Sequence, residues 1–207
     1  MAEINEVIGV VGKAVIAQKE FLTALDQAIG DGDHGINMAR GFEAVEKKLE
    51  VLGEGEDIGA VLKTVGMTLI SSVGGAAGPL YGTAFMRAAV PATGKFALDV
   101  DTAEQMIAAA VKGIQDRGKA VKGEKTMLDV FIPVHECFIE GKEKGKSLLE
   151  CLEASVKAAE DGVEYTKTII ATKGRASYVG ERSIGHQDAG ATSLTVMIKA
   201  LYDYYKK

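Results

Sequence analysis

The sequence holds two cysteines in 207 residues, has no surplus of positive charge, and lacks an apolar run of the length a bilayer requires. Each shortage closes off a class of protein. Cys137 and Cys151 stand among apolar helical positions without C-x-x-C spacing, which excludes a disulfide scaffold and a zinc site and leaves them as buried reduced thiols. Lys and Arg number 24 against 29 Asp and Glu, a formal charge of -5, so there is no basic footprint for nucleic acid or anionic lipid. No uninterrupted apolar stretch approaches the roughly 18 residues of a membrane span. The start, Met1-Ala2-Glu3-Ile4-Asn5-Glu6, carries acids where a signal peptide carries Lys or Arg. The expectation is a cytoplasmic protein with no membrane span and no nucleic-acid partner. Three prolines, none gathered into a linker, and an unbroken composition point to a single domain over residues 1–207.

Period-two alternation is also missing, while apolar residues recur throughout at three- and four-residue steps. That predicts an all-α chain. A first helix is expected from Ile4 to Leu25 and a second after Gly35, using Met38, Phe42, Val45 and Leu49. Asp57 is placed to cap a third, and Pro79 suits the first turn of a fourth. Asp101 and Glu104 have the spacing of a capping box that opens a fifth. A sixth starts near Thr126 with a kink expected at Pro133, Ser147 and Glu150 open a seventh that runs to about Ala171, and an eighth runs from Ala191 to Tyr205.

Glycine is abundant, and eleven of its 25 residues fall in three segments totalling 32 positions: Gly30 to Gly35, Gly74 to Gly82 and Gly174 to Gly190. Glycine costs about 1 kcal/mol in a helix interior and is favoured where backbone turns sharply or approaches a ligand. Three such junctions predict one composite ligand site. In the first, Asp26 and Asp33 lie about two helical turns apart, and Gly30 and Gly32 let Asp31 fold toward them. At about 4 Å and an effective dielectric near 20, each carboxylate pair repels by roughly 4 kcal/mol, so a convergent triad needs a counterion. Oxygen donors without cysteine suit magnesium, which shares its remaining positions with water and phosphate. The same residues also fit a solvated turn holding calcium or nothing, although the EF-hand pattern fails.

The second junction, Ser71 to Pro79, ends where a helix begins, and free amides there can cradle a phosphate or serve close helix packing. The string Gly118 to Thr126 superficially resembles a P-loop, but Glu124 separates the second glycine from Lys125 and no strand precedes it. The third junction carries Arg175, Arg182, His186 and Asp188 on a run of about 17 residues expected to lack structure. Either arginine is suited to clamp a phosphate or to sit in a surface ion pair. Arg175, one residue after a glycine at the loop's entrance, is the candidate for stabilising a transferring phosphoryl group, whereas Arg182 has Glu181 beside it.

Gly30-Asp31-Gly32-Asp33-His34-Gly35, Ser72 to Pro79, Lys125-Thr126-Met127-Leu128-Asp129, and Gly174 to Tyr178 with Gly185 to Asp188 together resemble the nucleotide-binding L subunits of bacterial dihydroxyacetone kinases. The motifs occur in family order from Asp26 to Ser193. The resemblance implies an antiparallel eight-helix barrel with the nucleotide at one end. It implies that Asp26, Asp31 and Asp33 hold two Mg2+ ions on the phosphates of ADP or ATP. It also implies that His34, Gly35, Ile36, Asn37, Ala76, Ala77, Gly118, Met127, Arg175, Asp188 and Ala189 line the nucleotide. Members often carry Ser at the place of Ala77 and Pro at that of Ala189, which here removes one phosphate contact and loosens the loop near the adenine.

The partners implied are a K-type subunit that holds dihydroxyacetone covalently and a histidine phosphoprotein, the M subunit, that rephosphorylates bound ADP. A homodimer is compatible with this reading. Three functions follow: the phosphoryl-relay subunit, on dihydroxyacetone or another short ketose; a regulatory module contacting a transcription regulator; and an ATP-binding domain of the fatty-acid kinase type. His34 and the chain length count against the last.

Overall fold

A computed structural model describes residues 4–52 and 55–207, which form nine α-helices and one 3-10 helix with no strand among them. The helices are α1 (Ile4–Ala17), α2 (Lys19–Ile29), α3 (His34–Leu52), α4 (Ile58–Ser72), α5 (Ala77–Ala89), α6 (Val100–Gly118), α7 (Leu128–Glu143), α8 (Leu148–Thr168) and α9 (Ala189–Tyr205), with the 3-10 helix at Arg175–Ser183. The expected first helix is broken once. At Gln18 (φ -98°, ψ 13°) the ladder slips to a three-residue bond, Gln18 N–H to Val15 C=O, before α2 continues the same stave.

Three helix starts follow from their capping chemistry. Asp57 accepts from the Ala60 N–H at 2.9 Å, and Ser147 with Glu150 forms the full capping box. The expected box at Asp101 and Glu104 is not the start of α6. Asp99 is the cap, accepting from Thr102 N–H at 2.7 Å, while Asp101 pairs with Lys142 (2.8 Å) and Glu104 with His135 (2.8 Å) across to α7. Pro133 lies inside α7 without ending it, and α8 stops at Thr168, short of Ala171.

With α1 and α2 counted as one stave, each of eight staves packs on its neighbours in sequence, and α9 closes the ring against α1. Short connections make successive staves antiparallel. The interior is filled by residues such as Leu22, Met38, Phe42, Val65, Leu69, Val130 and Phe138, all at most 2% exposed. The fold is thus the eight-stave antiparallel barrel that the resemblance implied. Alternation also fixes the placement of the loops. The α2–α3, α4–α5, α6–α7 and α8–α9 connections follow every second stave, so all four lie at one end. The opposite end contains an apolar cavity of about 420 Å³ between such residues as Ile4, Phe96, Phe131 and Tyr205.

Candidate functional site

At the first of the four loops, the carboxylates of Asp26, Asp31 and Asp33 each offer an oxygen within 4.8 Å of the others. Asp26 reaches them from the last turn of α2. Its Oδ2 accepts the N–H groups of Asp33 (2.9 Å) and His34 (3.1 Å), so it also serves the free amides at the start of α3. Glycine is required on both sides of this turn: a Cβ at Gly30 would stand 2.1 Å from Asp26 Oδ1, and Gly32 has φ 73°. Three convergent acids with hard oxygen donors fit a divalent cation of the magnesium type. The Arg175 guanidinium pairs with one of these acids, its Nε 3.0 Å from Asp31 Oδ2.

The cluster forms one side of a cleft of about 980 Å³ into which all four loops project. Of the residues singled out from the sequence, Asp26, Asp31, Asp33, His34, Asn37, Ala76, Ala77, Gly118, Met127, Arg175, Asp188 and Ala189 line it. Gly35 and Ile36 are not among its lining. A Cβ on Gly35 would meet the Lys19 carbonyl oxygen at 2.1 Å, so this glycine lets α3 cross α2 closely, and the Ile36 side of α3 is solvent-exposed. Arg182 also lies outside the lining, at the end of the 3-10 helix. That helix corrects the expectation of an unstructured third junction. Nine residues of the run, Arg175–Ser183, are wound into 3-10 turns, interrupted at Gly180 (φ 55°) and tied by Ser183, whose Oγ accepts the Ala171 N–H at 2.9 Å.

His34, first residue of α3, places Nε2 2.9 Å from Ser193 Oγ on α9, and Ser193 Oγ lies 2.7 Å from the Tyr81 hydroxyl on α5. Tyr81 in turn donates to the Gly190 carbonyl at 3.0 Å. This chain of polar contacts ties three staves together under the cleft. Burial holds the His34 imidazole below its ordinary value, against the pull of the Asp26 and Asp33 charges, so the ring is neutral at pH 7. Asn37 turns its Oδ1 to Arg40 Nη2 (2.7 Å), and Arg40 Nε is anchored on the Ser72 carbonyl at 2.9 Å. At the second junction, Gly75 (φ 64°) delivers the chain to α5, whose first turn has no side-chain cap and begins at the cleft. Uncapped amides at a helix start attract an anion.

The far wall comes from the α6–α7 and α8–α9 loops. Asp129, 1% exposed, accepts the Thr126 N–H at 2.8 Å and that of Gly123, fixing a tight turn through Gly123 (φ 92°) and Lys125 (φ 58°). The P-loop-like string is therefore a side-chain-braced turn and not a phosphate nest. Asp188 caps α9 by accepting from Ala191 N–H at 2.7 Å, and burial pushes its carboxyl up to about 6 in spite of that bond and of the Lys125 charge. The usual acid value is 3.8, so ionisation becomes a cost to the ligand-free protein as pH rises through about 6. Asp188→Asn keeps an acceptor for the cap and removes that cost. Without ligand its Tm is expected to exceed that of the parent by a few degrees at pH 8, with the difference vanishing toward pH 4 in paired thermal melts. An unchanged difference across that range would contradict the assignment.

Sequence reasoning passed over Ser193, Tyr81, Arg117 and the full role of Lys125. Arg117 lines the cleft from the last turn of α6, where a cation suits the helix C-terminus. Its only signal in the sequence was a basic residue next to Gly118.

The comparisons with known proteins agree with this geometry. A family model described as the DAK2 domain matches residues 28–203. The chain is 48% identical to the "PEP-dependent dihydroxyacetone kinase, ADP-binding subunit DhaL" of Escherichia coli K12 over 190 residues, covering 92% of this chain and 90% of that protein. It is 45% identical to the "PEP-dependent dihydroxyacetone kinase 1, ADP-binding subunit DhaL" of Listeria innocua, covering 92% of this chain and 89% of that protein. The mouse "Triokinase/FMN cyclase" is 34% identical over 91% of this chain, which spans 32% of that longer protein. Among solved structures, the dihydroxyacetone kinase of C. freundii in complex with AMP-PNP and Mg2+ aligns with a TM-score of 0.71 at 21% identity, covering 99% of this chain and 34% of that one, and so shares the barrel fold. No helix among the described residues is long and apolar enough to cross a membrane. The chain belongs to the DAK2 domain family and, within it, to the DhaL-type subunits of dihydroxyacetone kinases.

Proposed function

We propose that this chain is the nucleotide-carrying subunit of a dihydroxyacetone kinase. It would keep ADP bound with two Mg2+ ions, receive a phosphoryl group on that ADP from a histidine phosphoprotein M subunit, and pass it to dihydroxyacetone held on a K-type subunit. The observation that carries this reading is one cleft that joins the Asp26, Asp31 and Asp33 triad, the Arg175 guanidinium and the uncapped start of α5. Bound magnesium supplies charge neutralisation on the phosphates. The chain's own residues supply position. Asp26, Asp31 and Asp33 would hold the cations, the first amides of α5 near Ala76 and Ala77 would receive phosphate oxygens, and neutral His34 and Asn37 would offer polar contacts from α3. Met127, Gly118, Asp188 and Ala189 would enclose the rest of the nucleotide. Ile36, on the exposed side of α3, lies outside the cleft lining and takes no part in this reading.

Phosphoryl transfer asks mainly for alignment and charge neutralisation, which a rigid barrel end supplies. The proposal places the protein in the cytoplasm as one domain. The test is the identity and exchange of the nucleotide. Mass spectrometry of the purified protein should find ADP, and incubation with labelled ATP should leave the label in solution, while a phosphorylated M-type protein should convert bound ADP to ATP in place. Rapid exchange with free ATP would favour an ATP-dependent subunit instead.

A further inference from the structure

Lys125 is a buried cation in the cleft wall whose ammonium is fully taken up by backbone. The residue is 1% exposed and, among the described residues, the only buried lysine. Its Nζ donates to the carbonyls of Thr166, of Ile169 at 3.3 Å and of His186 at 2.5 Å. Three acceptors around one nitrogen require three hydrogens, so the group is the charged ammonium. The cost of burying that charge is offset by the acceptors it meets. Thr166 and Ile169 carry terminal carbonyls of α8, the negative end of its dipole. Burial draws the ammonium below its ordinary value, and the charges of Asp188 and Asp129 oppose that pull.

These three bonds join three separate pieces of chain. Lys125 itself belongs to the α6–α7 turn that presents Gly118, Ala120, Thr126 and Met127 to the cleft. His186 lies two residues before Asp188, where the chain enters α9, and the other two acceptors end α8. Among the described residues Lys125 is the side chain that bonds all three pieces at once, while Glu124 on the same turn accepts from the Thr172 hydroxyl at 3.2 Å and the Thr166 hydroxyl accepts the Asp188 N–H at 3.0 Å. The opposite wall, with the acidic triad, Asn37 and the start of α5, rests on α2, α3 and α5, to which the Lys125 ammonium makes no bond. The two walls also differ in chemistry. The acidic side suits cation and phosphate, and Ile114, Ala120 and Met127 give the other side the apolar surface that a base stacks on.

We propose that Lys125 is a positioning residue for the base-and-sugar half of the cleft, acting by locking the α6–α7 turn onto the α8–α9 junction without touching the phosphates. This rests on the nucleotide reading above. The left-handed backbone at residue 125 fits such a role, because a non-glycine residue there carries a conformational cost that its side-chain bonds must outweigh.

The test compares two ligands by calorimetry, Mg2+ with ADP and Mg2+ with inorganic pyrophosphate, on the parent protein and on Lys125→Met. The variant is expected to lose at least about 30-fold in ADP affinity, as a wall displaced by about 1 Å can cost such factors. Pyrophosphate affinity should stay within about twofold. Equal losses for the two ligands, or ADP affinity within about threefold of the parent in a folded variant, would overturn the proposal. A generally loosened protein would lose both ligands alike, which is what the split detects. Should Lys125→Met not fold, the parent protein still decides. In 15N-lysine NMR it should show one slowly exchanging ammonium, further protected by Mg2+ with ADP and unaffected by Mg2+ with pyrophosphate. Absence of a protected ammonium, or an equal response to both ligands, would sink the idea. Failure of the parent itself to bind ADP would overturn the nucleotide reading, and this proposal with it.

Discussion

Arg175→Ala is expected to slow phosphoryl transfer to a dihydroxyacetone-loaded K-type subunit by at least about 100-fold, with only a severalfold loss of ADP affinity. An arginine that neutralises the transferring group contributes about 10³ to 10⁵ in rate in comparable reactions, so the lower bound is modest. The geometry explains why the loss falls on the rate. The Arg175 side chain is 66% exposed, its partner Asp31 44%, and an ion pair so open to water contributes about 0–1 kcal/mol. It is easily given up. With Asp31 holding a cation, as proposed, the guanidinium would be released toward the phosphates, and Gly174 (φ 63°) at the start of the 3-10 helix would give it room to turn. Single-turnover transfer, read beside calorimetric ADP binding, separates the two effects. Arg182→Ala should keep most activity, since Arg182 is outside the cleft lining. A near-normal rate for Arg175→Ala would move the charge compensation to the cations or the partner subunit.

Asp31→Asn should reduce Mg2+ and ADP affinity together, each by about two orders of magnitude, and leave the fold intact. Among the described residues the Asp31 carboxylate makes no hydrogen bond to the backbone, and its one ion pair there is the exposed contact with Arg175. Removing its charge also relieves repulsion within the triad, so the metal-free variant should melt no lower than the parent. Asp26 behaves differently because two amides of the Asp33–His34 turn depend on its Oδ2. Asp26→Ala should lose the ligands and also about 1 kcal/mol of stability, the worth of a helix cap. Excess chelator should have the same effect on the parent as Asp31→Asn. Calorimetric titration with and without chelator, beside thermal melts of both variants, reads these outcomes. Tight ADP binding to the metal-free parent would refute the joint site.

The barrel was legible because its rule is local. A stripe of apolar residues at helical spacing is written into each stave, and glycine-rich breaks separate them, so eight staves could be read directly. The site was legible for a related reason: its glycine clusters fall on alternate connections, and alternation in an antiparallel ring brings those to one end. What escaped depends on distance in space. Nothing near Gln18 marks the one-residue break between α1 and α2. Asp99 and Asp101 both have capping chemistry, and only the pull of Lys142 on Asp101 and of Thr102 on Asp99 separates them. Gly35 carries the same letter whether a ligand or a neighbouring helix needs the room, and here the Lys19 carbonyl needs it. Lys125 looked like part of a failed phosphate loop because its acceptors lie 41 to 61 residues away.

An even number of staves has a further effect on how this unit connects to others. The chain enters α1 and leaves α9 at the end opposite the cleft, and the two are adjacent there, with the Tyr204 hydroxyl 2.6 Å from Glu6 Oε2. Extra polypeptide can thus be grafted at either terminus on the blind side of the barrel, leaving the mouth of the cleft clear. The same adjacency makes the unit portable. A join at that end would keep the cleft mouth pointing away from the seam, and the matched region spans 90% of one relative and 32% of another.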